Sequence, residues 1–143
     1  MNVICFGDSN TYGYDPRSWL GDRYDPQNRW VDILAGKTGW NISNRGQNGR
    51  EIPRQPVSFP ADTGLLVVML GTNDLLQGCT PADAAGRLER FLTGLDLERE
   101  KILLIAPPPV SFGEWVQDEH LMDASKAFAQ LRRVLAARLG VRF

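Results

Sequence analysis

A serine at the end of an apolar run is the first residue of this chain placed to do chemistry. Val3-Ile4-Cys5-Phe6 stops abruptly on Gly7-Asp8-Ser9-Asn10. Two later segments, Asn44-Arg45-Gly46-Gln47-Asn48-Gly49-Arg50 and Gly71-Thr72-Asn73-Asp74, repeat the theme of glycine with small polar residues. Acyl transfer needs a hydroxyl to attack a carbonyl and preorganised N–H donors to hold the resulting oxyanion. Ser9 supplies the hydroxyl and, if a helical turn starts there, a backbone N–H aimed into the site. Gly49 lets the backbone approach a ligand closely, and Asn73 offers a neutral NH₂ donor. Each segment alone reads equally well as an ordinary turn or helix cap. Their meaning depends on whether the fold brings them together.

The elements that must do so are legible as periodicities. Continuous apolar runs predict strands covered on both faces at Val3–Phe6, Leu65–Leu70 and Ile102–Ala106, with a weaker one over Trp40–Asn44. Val141-Arg142-Phe143 reads as the start of a fifth. Between them, Arg29–Ala35 predicts a helix capped by Asn28, with Trp30, Ile33 and Leu34 inward and Gly39 past its end. Thr80-Pro81-Ala82-Asp83 opens a second, carrying Leu88, Phe91, Leu92 and Leu95. A third is expected from about Met122 to Leu139, with Phe128, Leu131, Val134, Leu135 and Leu139 inward and Gly140 as its stop. Alternating strands and helices predict a single α/β domain of three layers (αβα), flavodoxin-like. Its parallel sheet should hold about five strands in the order 2-1-3-4-5. In such sheets sites form outside the carboxyl ends of the strands, which is where the three polar segments fall.

On these residues the chain resembles a known family. "FGDSNTYGY" is similar to the first block of the SGNH hydrolases, also called GDSL esterases or lipases. "NRGQNGR" looks like their second block and "MLGTND" their third, and "APPPV" is similar to the arylesterase and acyltransferase branch. The resemblance implies a carboxylic ester hydrolase, or an acyltransferase, working through an acyl-Ser9 intermediate on small esters. It implies an oxyanion hole of Ser9 N–H, Gly49 N–H and Asn73. Gly49 is preferred to Gly46 because it stands five residues after the strand-end Asn44. No cofactor and no metal are implied. Tyr12, Tyr14, Pro108 and Trp115, with Phe112, are candidates for lining an acyl or aryl pocket.

The family also places an Asp-x-x-His block after its fifth strand, and none occurs in this sequence. The single histidine, His120, lies in "QDEHLMD" before the last helix and reads as a surface residue. The expectation is a domain, residues 1–143, that is C-terminally incomplete, with apolar sheet surface left exposed. The alternatives are a ligand-binding module without turnover, or a base from His120 or a partner subunit. A phosphate-binding reading is disfavoured, since neither Gly-x-x-x-x-Gly-Lys-Ser/Thr nor Gly-x-Gly-x-x-Gly is present.

Bulk properties narrow the partners. A net charge of −1 over 143 residues, with no run of like charges, argues against nucleic acid. No stretch has the length of a membrane span, and no signal peptide precedes Val3. Cys5 and Cys79 fit no metal spacing, and reduced thiols suggest a cytoplasmic protein. A small-molecule ester is the expected partner, and a homo-oligomer is compatible with the arylesterase-like branch.

Overall fold

In the computed structural model, which describes residues 1–111, 113 and 118–143, four parallel strands form one sheet. They are β1 (Asn2–Gly7), β2 (Asn41–Gly46), β3 (Leu65–Met69) and β4 (Ile102–Leu104), in the order β2-β1-β3-β4. A parallel bridge between Leu103 and Arg142 adds the beginning of a fifth strand beside β4. The arrangement is the doubly wound α/β fold expected from the sequence.

Among the described residues five α-helices accompany the sheet: α1 (Ser9–Tyr12), α2 (Trp30–Thr38), α3 (Thr72–Leu76), α4 (Pro81–Thr93) and α5 (Glu119–Leu139). Alternation along the strands splits the core in two. Ile4, Phe6, Leu66, Val68, Leu70, Ile102 and Leu104 face Leu88, Phe91 and Leu92 of α4 and Phe128 and Leu135 of α5. Val3, Cys5, Leu65 and Val67 face α2, where Val31 is the buried contact. That second face is less well covered: Leu103 and Ile105 stay half-buried while Ile102 and Leu104 are fully buried.

Several local expectations need correction. Arg29, not Asn28, occupies the cap position of α2, because Pro26–Asn28 form a 3₁₀ turn of their own. Val31 turns inward on that helix and Ile33 is exposed. Helix α5 starts at Glu119, earlier than expected, because the Asp118 carboxylate caps the His120 N–H. Its Leu131 and Val134 are exposed; the buried stripe runs through Phe128, Arg132, Leu135 and Ala136. The i, i+4, i+7 spacing was present, but an arginine in it concealed the inward face. Strand β4 ends at Leu104, sooner than the apolar run, and Ile105 passes its carbonyl to Arg132.

Candidate active site

Register sets the geometry. Gly7 of β1 lies opposite Gly46 of β2 and Met69 of β3, so the chain leaves all three strands at one level. Ser9, Gly49 and Asn73 follow within a few residues, on turns at the same sheet edge. Hydrogen bonds bind these turns together. Gln47 N–H donates to the Gly7 carbonyl at 3.1 Å, and Arg50 Nη1 reaches the same oxygen at 3.0 Å. Asn73 Nδ2 donates to the Arg50 carbonyl at 3.0 Å. Gly46 permits a close backbone approach, since a Cβ there would stand 2.1 Å from the backbone nitrogen of Tyr12.

Ser9 opens α1. Asp8 caps it, its Oδ1 accepting from Asn10 N–H at 2.9 Å, while the Asp8 carbonyl takes the Thr11 and Tyr12 N–H groups. Among the described residues no acceptor engages the N–H of Ser9 or of Gly49. Gly49 has φ +77°, which turns the chain sharply just before Arg50. Asn73 Nδ2 keeps a second amide hydrogen beyond the bond to Arg50.

The turns are held from beneath by buried charge. Asp8 is fully buried, and burial pushes its carboxyl above the ordinary 3.8, opposed by the Asn10 N–H and by the charge of Arg132. Arg132, also fully buried, donates to the carbonyls of Leu70 and Ile105, at the ends of β3 and β4. Burial lowers its guanidinium to about 10, so it stays charged at neutral pH. Asp74, next to Asn73, accepts from Ile52 N–H at 3.0 Å and from Arg87 Nη1 at 3.1 Å. Burial raises its carboxyl, and these donors work against the rise. Sequence reasoning missed Arg132, Arg50 and the Asp74–Arg87 pair. The only signal was a lone arginine on the buried stripe of α5.

A cleft of about 370 Å³ opens beside Ser9 between Asn10, Tyr14, Tyr24, Arg29 and Trp30. Tyr14 thus lies at the serine, its hydroxyl donating to the Ser18 carbonyl at 3.2 Å. The Tyr12 ring instead lies under Arg23, 4.4 Å from the guanidinium carbon, and does not line this cleft. Pro108 is exposed, and its neighbour Pro107 lines a small crevice with Thr72 and Phe128. Trp115 and Phe112 lie outside the described residues. His120 is exposed on the first turn of α5.

A parallel sheet with its polar turns gathered at one edge places the protein among the doubly wound α/β folds, whose sites form at the strand tips. More particularly, residues 5–143 match the model of the GDSL-like Lipase/Acylhydrolase family, and the chain belongs to that family. Among solved structures it is similar to a proposed arylesterase from Agrobacterium tumefaciens, at 27% identity and TM-score 0.81, covering 99% of this chain and 81% of that one. An aryl esterase of M. smegmatis shares the fold at 24% identity and TM-score 0.81, covering 99% and 82%. So does a carbohydrate acetylesterase family member from Sinorhizobium meliloti, at 24% and TM-score 0.76, covering 99% and 81%. No protein in the curated set matches the chain.

Proposed function

We propose that Ser9 is the nucleophile of a carboxylic ester hydrolase, acting on small esters through an acyl-Ser9 intermediate. The observation that supports this best is the convergence of the three turns, fastened through the Gly7 and Arg50 carbonyls. In this reading the Ser9 hydroxyl attacks the ester carbonyl and loses its proton to a base. The oxyanion is met by Ser9 N–H, Gly49 N–H and Asn73 Nδ2. Collapse expels the alcohol, and water or a second alcohol then takes the acyl group from Ser9. Tyr14 and Trp30 flank the cleft that would receive the ester.

The base is the open position. His120 is the only histidine in the sequence and is exposed on α5, so the imidazole and its carboxylate partner are proposed to come from outside residues 1–143. The alternative, a binding module using the same cleft, is favoured by that same lack of a base. A serine-directed fluorophosphonate, read by mass spectrometry with imidazole added to the protein, separates the two. An adduct on Ser9 that Ser9→Ala abolishes supports the hydrolase. A folded protein that stays unlabelled with imidazole present supports the binding module.

A further inference from the structure

A second cleft of about 370 Å³ lies between residues 53–57 and α4, and it shares no residue with the one at Ser9. Its apolar side is formed by Val57, Phe91 and Leu95, all packed on the main core. Its loop wall is anchored at both ends. Ile52 is buried, with its N–H on Asp74 Oδ2 at 3.0 Å, and Phe59 stands edge-on to Phe6 at 5.3 Å. Pro53 and Pro56 fix φ along the wall between them. A wall fixed in this way adds little ordering cost on binding.

The charge of the cleft is one-sided. Three arginines line it, Arg54, Arg87 and Arg90, in a molecule of net charge −1. Arg87 is engaged by Asp74 at 3.1 Å and Glu51 at 3.7 Å. Arg54 and Arg90 have no carboxylate in ion-pair range among the described residues. Arg90 Nη1 folds back along α4, within 3.5 Å of the position a Gly86 Cβ would take. A guanidinium fork matches carboxylate oxygens well, and the apolar side would be idle against a purely inorganic anion. The volume is at the low end for ligand pockets, which suits a small molecule.

We propose that this cleft binds a small amphiphilic carboxylate, its head held by Arg54 and Arg90 and its apolar body laid on Val57, Phe91 and Leu95. The binding is independent of chemistry at Ser9. Amide NMR titrations with benzoate and hexanoate, against benzyl alcohol, hexanol and inorganic phosphate, test it. The carboxylates should shift Val57, Phe91 and Leu95 saturably. Affinity should fall at least about tenfold in the Arg54→Gln/Arg90→Gln double variant, whose two positions are exposed in the folded protein. Ser9→Ala should titrate like the wild type. Equal binding of the alcohols, phosphate matching the carboxylates, shifts confined to the Ser9 cleft, no saturable shift, or an unchanged double variant would each overturn the proposal.

Discussion

Ser9, Gly49 and Asn73 stood out because small polar residues interrupted apolar runs, a pattern that needs no tertiary information. Their neighbours were harder to read. Asn73 Nδ2 donates to the Arg50 carbonyl, and the proposed oxyanion role falls to its second amide hydrogen. Asn73→Ala should therefore slow acylation of Ser9 by about 10²–10³, with KM little changed, as for loss of one oxyanion donor. A melting curve run alongside would report the lost Arg50 bond separately. An unchanged acylation rate would remove Asn73 from the oxyanion hole. Gly71 carries a different constraint: it has φ +117°, and a Cβ there would stand 2.3 Å from Phe128 Cε1. Gly71→Ala combines backbone strain with overpacking and should cost about 2 kcal/mol or more in denaturant unfolding. A variant as stable as the wild type would contradict that packing.

At the scale of elements, α4 and α5 cover the same sheet face and are linked at the surface. Arg138 forks onto both carboxylate oxygens of Glu89 at 2.7 and 2.8 Å. The arginine holds the Glu89 carboxyl below its ordinary 4.5. A carboxyl depressed in the fold contributes stability above its unfolded pKa and loses it as pH falls through the folded value. Both groups are largely solvated, so the contribution is small. Arg138→Ala should return the Glu89 titration, followed by side-chain NMR, toward 4.5 and remove this acid-side dependence. A titration that does not move would show that the pair does not form in solution. The α4 face was legible because its stripe is wholly apolar. That of α5 was not, because Arg132 occupies one of its inward positions and only the strand ends show why.

Across the whole molecule the two sheet faces differ in cover, and the cysteines lie on opposite sides. Cys5 is fully buried on the α2 side, its thiol pushed to about 12 by burial, while Cys79 is half-buried beyond α3. At pH 8 a disulfide reagent should titrate one thiol in the native protein and two after denaturation. Two native equivalents would mean that β1 opens readily and that α2 alone does not seal its face.

By itself the sequence determined the alternation of strands and helices and the parallel sheet, but not where each strand stops: β2 runs past Asn44 to Gly46, and β4 ends at Leu104. Apolar periodicity and turn chemistry are local properties that depend on spacing along the chain. Tertiary structure decided the rest. It aligned Gly7, Gly46 and Met69 at one level, placed Tyr14 but not Tyr12 beside Ser9, and set the Arg132 charge beneath the site. Those outcomes turn on which buried polar group meets which backbone carbonyl across tens of residues, and a hydrogen bond of that reach leaves no period in the sequence.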